Sequence, residues 1–432
     1  MVEKEGFEQL KLQIQEEVIQ NFAPSYFFAD QELPEKRNVL IARIEELLEF
    51  RGRDKKVPLV LPVEDKERLI KEIVDEILGY GPIDDLMKDE AVTEIMINGC
   101  NKIYAEKKGK KFLTKIKFKN ITQLQHLVQK LVSFSGRKVD EATPFVDSSL
   151  GDGTRINVII PPLALEGPIV TIRRMSGTIA KIEDLIKVGT LSREAGEFLI
   201  ACVRAKINMI FSGPTGTGKT TTLGVLSYYI DPDERIVVIE DTVELNFSQQ
   251  HVVRLQARLA NTEGRGAVTI RDLLKNSLRM SPDRIVIGEV RGGEALDMLQ
   301  AMASGHRGAL GVIHAASPTD VVSRLETMIA TSGVNIPLWT IRKHIANNLN
   351  LIVQQERLQD GSRKVTHITE VRGLKDEEVT LEDIFTFVQE GFDEKGVIKG
   401  KIKATGIVPL CLANIEKKGI KINPELFLRQ ME

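Results

Sequence analysis

The sequence predicts an α/β protein: a large unit on a mostly parallel sheet, preceded by a smaller α+β domain and a short helical leader. Beyond Ile179, short apolar runs at 207–211, 236–239 and 310–313 alternate with helical patterns, as parallel strands covered on both faces require. Between Val92 and Met175 the period is instead that of short strands separated by turns. The 432 residues also exceed one compact core, since domains commonly run about 100–200 residues. The expected division is a leader at 1–60, an α+β domain at 66–178 and the large unit at 179–432, ending in helices and a hairpin.

Residues 3–51 are charged and amphipathic, with Leu40, Ile41, Ile44, Leu47 and Leu48 at helical spacing and Pro24 and Pro34 interrupting the run. A connector at 57–62 precedes an amphipathic helix at 66–78, closed by Gly79 and Gly81-Pro82. Strands are expected at 93–97, 102–106, 112–118, 155–160 and 169–173, and a helix at 121–133. Turn chemistry lies at Lys108-Gly109 and Gly151-Asp152-Gly153.

Composition narrows the class. Lys plus Arg number 59 against 61 for Asp plus Glu, so no global basic field drives the chain onto nucleic acid. Cys100, Cys202 and Cys411 form no C-x-x-C pair for zinc or a disulfide framework, which fits a reducing compartment. The apolar stretches at 156–165 and 207–211 fall far short of the roughly 20 residues that span a bilayer, and the acidic N-terminus lacks a signal-peptide pattern. The expectation is a cytoplasmic chain with no integral membrane segment, touching a membrane only peripherally.

The strongest local signal follows the run at 207–211. Gly213, Pro214, Thr215, Gly216, Thr217, Gly218, Lys219 and Thr220 match G-x-x-x-x-G-K-[ST], and a helix is expected at 221–230. Backbone N–H groups must turn inward around a β-phosphate, and a Cβ would obstruct both the turn and the approach. Lys219 is expected on the β and γ phosphates, Thr220 on Mg²⁺, and Thr221 beside them; the cofactors are ATP and Mg²⁺.

Acids complete the set. The strand run at 235–239 ends in Glu240 and Asp241, with Glu244 three residues on, and the run at 284–288 ends in Glu289. Carboxyl ends of parallel strands face the ligand crevice. Glu289 is expected to orient the attacking water and to reach Mg²⁺ through water. The alternative reading of each acid is an N-cap for the next helix. His306 ends a helix expected at 293–305, and His314 closes the run at 310–313, where a side chain can feel the γ-phosphate and pass the difference to a helix at 319–329. An arginine finger would come from Arg155, Arg173, Arg174, Arg254 or Arg258. Three of these lie in the preceding domain, an origin that would put ATP between domains or subunits.

These motifs resemble the type II/type IV secretion ATPases: the P-loop at 213–220, the acidic box Ile239-Glu240-Asp241-Thr242-Val243-Glu244, Ile287-Gly288-Glu289-Val290-Arg291, and the histidine box around His306 and His314. Within them the chain is most similar to the CpaF branch, which assembles Flp pili, through Arg254-Leu255-Gln256-Ala257-Arg258, Asn261-Thr262-Glu263-Gly264, Arg271–Asn276, residues 369–374 and Ala404-Thr405-Gly406. The resemblance implies a RecA-like motor domain, a homo-hexamer and a pull on an inner-membrane platform protein. By the same resemblance Glu289 is the catalytic acid, Glu240 and Glu244 belong to the acidic box, His306 and His314 are sensors, and Arg155 and Arg173 are fingers or phosphate contacts. Where the branch reads H-A-N-S, this chain has His314-Ala315-Ala316-Ser317, with Ser281 for an arginine and Arg307 for an acid. The competing readings are a nucleic-acid translocase of similar core, which the net charge of −2 disfavours, and an ATP-binding scaffold without turnover.

Overall fold

In the computed structural model, residues 33–52, 62–107, 109–133, 138–150, 153–174, 179, 181–245, 247–258, 265–393 and 396–428 are described, together with 7, 10, 11, 13, 14, 17 and 18. Pro24, most of the connector, the turn residues Lys108, Gly151 and Asp152, and the segment 261–264 lie outside them. Internal contacts divide the chain into two units, Met1–Ser176 and Gly177–Glu432.

In the first unit, helix α1 (Leu33–Gly52) has Pro34 in its first turn, where a missing N–H costs nothing. Leu40, Ile44 and Leu48 of α1 recur at every fourth position. They share one core with Leu69, Ile70, Ile73 and Val74 of α2 (Val63–Leu78) and with Phe7, Leu10, Ile14 and Val18. The leader and the helix expected to open the next domain therefore bury their apolar faces on each other.

After the short helix α3 (Asp84–Lys88) comes an antiparallel sheet in the order β3-β2-β1-β6-β5-β4. Its strands are β1 (Val92–Asn98), β2 (Lys102–Lys107), β3 (Lys110–Leu113), β4 (Phe145–Ser149), β5 (Arg155–Ile159) and β6 (Ile169–Arg173). Ile95, Ile97, Ile156, Val158, Val170 and Ile172 pack on Leu124, Val128 and Leu131 of α4 (Ile121–Ser133). Two features differ from expectation. The strand expected at 112–118 stops at Leu113: Thr114 still donates to Ile103, but the chain then leaves the ladder and Phe118 turns inward, its N–H on the Cys100 carbonyl. Strand β4 carries Asp147, Ser148 and Ser149, poor strand formers, and is held by its pairing with β5.

The second unit holds nine strands in the order β15-β14-β13-β12-β7-β11-β10-β8-β9. Strands β7 (Met209–Ser212), β8 (Ile236–Glu240), β9 (Val252–Gln256), β10 (Arg284–Ile287), β11 (Leu310–Ile313) and β12 (Leu351–Arg357) are parallel. Alternate residues enter different cores. Phe211, Val238 and Val286 pack with α6 (Arg193–Arg204) and α7 (Lys219–Ser227), while Ile210, Ile239 and Ile287 pack with α8 (Ile270–Ser277), α9 (Glu294–Ala303), α10 (Pro318–Ala330) and α11 (Leu338–Asn348). Burial on both faces is why these strands read as unbroken apolar runs. A meander of β13 (Arg363–Lys375), β14 (Glu378–Phe392) and β15 (Ile398–Ala404) extends the sheet antiparallel, where a hairpin was expected. On the outermost strand, Lys399, Lys401 and Lys403 alternate with Ile398, Ile402 and Ala404, which are buried. No helix among the described residues is long and apolar enough to cross a membrane.

Candidate active site

Because β7, β11, β10 and β8 are parallel, the segments leaving their carboxyl ends converge on one edge of the sheet. The loop after β7 is shaped by close approach. At Gly213, with φ +148°, a Cβ would stand 2.0 Å from the Gln355 carbonyl oxygen of β12, and at Gly218, the left-handed N-cap of α7, 2.9 Å from the Gln355 amide nitrogen. Only glycine fits either position. Helix α7 begins two residues before the expected start, so Lys219 and Thr220 lie in its first turn, where N–H groups point at an anion.

Lys219 is buried, and its ammonium donates to the Gly213 and Pro214 carbonyls at 2.8 Å each. It also lies 3.4 Å from His314 Nδ1. With Nδ1 facing an ammonium, His314 is assigned the tautomer that carries its proton on Nε2, which donates to Glu289 Oε1 at 3.1 Å. Arg291 holds the other Glu289 oxygen and approaches Asp241 at 3.8 Å. A continuous chain results: Lys219, His314, Glu289, Arg291, Asp241. Burial pushes the Glu289 carboxyl upward, but the hydrogen bonds from His314 and Arg291 outweigh it and hold the pKa at about 2.

Glu240 has the opposite environment. Its burial raises the pKa to about 7, against the lowering effect of the Glu244 and Leu245 N–H groups, which donate to Oε1 at 2.8 and 2.9 Å. Glu244 in turn accepts from the Thr220 hydroxyl at 3.2 Å. Thr217 is buried and donates to the Pro214 carbonyl, while Thr215 is exposed.

The structure thus joins Lys219, His314 and Glu289 in one network, with Thr220, Glu244 and Glu240 in a second. His306 stands apart from both. It precedes β11 whereas His314 follows, so the two rings lie at opposite ends of that strand, and the His306 ring meets the Ser304 hydroxyl at 3.2 Å. Arg155 and Arg173 belong to the Met1–Ser176 unit, where they are direct cross-strand partners on β5 and β6, with Glu94 of β1 opposite Arg173. Three residues in or beside these networks had no role assigned from sequence. Arg291 was quoted only as motif text, and Gln355 and Thr222 meet at 3.0 Å across β12 and α7. The available signal for Gln355 was a polar pair, Gln354-Gln355, ending an apolar run at the crevice edge.

Two glycine positions that a Cβ would fill, a lysine aimed into the loop and a threonine at the helix start fit a nucleotide phosphate chain. Among the described residues no group of three or more His, Cys, Asp or Glu side chains is placed to hold a metal. The loop after β7, with acids at the ends of β10 and β8 beyond β11, defines a P-loop ATPase on a RecA-like sheet.

The chain belongs to the type II/IV secretion system protein family, whose model matches residues 76–390. It is 30% identical to VirB11 of Agrobacterium fabrum over 302 residues, covering 63% of this chain and 87% of that protein. The type IV secretion system protein PtlH of Bordetella pertussis is 34% identical over 283 residues, 59% of this chain and 83% of its own. Among solved structures, the pilus retraction motor PilT with bound ADP covers 66% of this chain and 81% of its own at a TM-score of 0.50 and 21% identity, a likeness of fold.

Proposed function

We propose that this chain is a homo-hexameric motor of the CpaF branch, hydrolysing ATP at the cytoplasmic side of the inner membrane to drive assembly of a Flp-like type IV pilus or a related secretion machine. The observation that carries the reading is the bridge from Lys219 through His314 to Glu289. A group that draws Lys219 off the Gly213 and Pro214 carbonyls changes the partner of His314 and, through it, the hold on Glu289. That is the connection a γ-phosphate sensor needs.

The roles in this proposal are as follows. Gly213 to Thr221 would hold the phosphates, and the Thr220 hydroxyl and, through water, Glu289 would hold Mg²⁺, which would supply charge neutralisation at the phosphate oxygens. Glu289, kept ionised by His314 and Arg291, orients and polarises the attacking water. Glu244 positions Thr220, and Glu240 fixes the backbone that presents Glu244. Arg155 and Arg173 contribute charge from the first unit, and the helical leader is the contact for the membrane partner.

Glu289→Gln keeps the shape and removes the charge. Turnover is expected to fall by about 10²- to 10⁴-fold, with ADP binding within about twofold of wild type. Full turnover in this variant would remove Glu289 from the mechanism.

A further inference from the structure

We infer that Arg357 and Arg363 form the nucleoside subsite of this ATPase, their guanidinium groups lying against the purine ring; the inference rests on the proposed placement of the γ-phosphate beside Glu289 and His314. The strand order sets the direction. Glu289, His314 and Glu240 follow β10, β11 and β8, all on one flank of β7. A triphosphate held by the loop after β7 with its γ end toward that flank sends its nucleoside to the other, where β12 and then β13 come next.

On that flank the chain presents a specific pair. Arg357 and Arg363 are direct cross-strand partners at the ends of β12 and β13 that adjoin the loop, Arg357 two residues beyond Gln355, whose amide nitrogen would stand 2.9 Å from a Cβ on Gly218. Alternation along a strand puts Arg357 on the same face as Gln355. Arg363 Cδ stands 3.5 Å from where a Cβ on Gly218 would be, so its side chain borders the phosphate loop. The Arg363 backbone is pinned, its carbonyl accepting from the Thr190 hydroxyl at 2.9 Å, with the next residue, Lys364, donating to the Gly189 carbonyl at 2.7 Å. Planar guanidinium groups stack on aromatic faces, which an ammonium cannot do. Two of them on a fixed strand end, beside the loop and away from the γ side, suit a purine ring.

The test compares a ligand that has the nucleoside with one that lacks it. Calorimetric titration of the full chain with ADP and, separately, with inorganic pyrophosphate, both with Mg²⁺, is expected to show Arg363→Ala weakening ADP by about 3- to 30-fold with pyrophosphate unchanged. Arg357→Ala should act in the same direction, and Arg363→Lys should recover little of the loss because the planar face is gone. Intact pyrophosphate binding also certifies that a variant is folded. Equal losses for both ligands would make the pair a phosphate or loop support, and no loss for ADP would remove it from the site; either result overturns the inference. Lys219→Ala should weaken both ligands, and its failure to do so would count against the phosphate loop instead.

Discussion

Glu240 and Glu289 stand at the ends of neighbouring parallel strands, yet their surroundings push them in opposite directions. Burial outweighs the Glu244 and Leu245 N–H groups and the weaker pull of Arg254 on Glu240 and leaves a carboxyl that titrates at about 7, whereas His314 and Arg291 keep Glu289 ionised down to about 2. The consequence for stability has a definite sign. Folded Glu240 retains its proton up to about 7, while the unfolded chain releases it at 4.5, so folding grows less favourable as pH rises between the two values. Glu240→Gln keeps an acceptor for the Glu244 and Leu245 N–H groups and cannot ionise. Its melting temperature is expected to lose less than that of wild type between pH 5 and 8, read by calorimetry at each pH; parallel slopes would show that Glu240 does not titrate in this range. The residues readable from sequence were those whose chemistry is announced by a neighbour, Lys219 and Thr220 by the glycines and Glu289 by its apolar strand. Arg291 and Gln355 were not readable, because their partners are supplied by other elements.

At the level of elements, the informative feature is the register shift between β12 and β13, where Gln354 pairs with His367 and Gln355 with Val365, so that Thr366 of β13 is the extra residue. A bulge of this kind re-aims side chains beside active sites. Here Gln354 turns to the Ala315 carbonyl next to His314, and Gln355 turns to Thr222 in α7. Thr222 is fully buried, so Gln355→Ala leaves its hydroxyl without that partner, at an expected cost of about 1–3 kcal/mol in the unfolding of the motor unit by urea. The Thr222→Val and Gln355→Ala pair together should cost less than the sum of the two. The parallel strands were legible because both faces are buried and their runs are apolar throughout. The antiparallel meander was not: β13 and β14 carry Glu370, Glu382 and Asp383, and pairings that accommodate such acids come from far along the chain, as the Leu410 and Cys411 N–H groups do for Glu370.

For the whole molecule, the question is whether the unit that carries Arg155 and Arg173 enters the work of the unit that carries Lys219. Arg155 and Arg173 are directly opposite each other, a repulsion of a few tenths to about 1 kcal/mol that Glu94, opposite Arg173 on the other side, partly offsets. If the arginines act across subunits, Arg173→Ala and Lys219→Ala proteins, each inactive alone, should regain part of wild-type turnover when mixed, peaking near equal amounts. Absence of recovery at every ratio would place the arginines and the loop in the same chain. Legibility at this scale was uneven. The change of period marked the passage into the parallel sheet, but the pairing of α2 with α1 depends on which apolar faces meet, and neither helix taken alone names its partner.

The lysines of β15 bear on how copies can meet. A nine-stranded sheet that ends on an outer strand leaves a row of backbone donors and acceptors open to any extended chain. A second β15 added there would set Lys399, Lys401 and Lys403 against the same residues of its neighbour, like charge on like charge at adjacent strand spacing. Sheet continuation between copies is thereby discouraged, and assembly is left to surfaces that side chains, rather than open backbone, make specific.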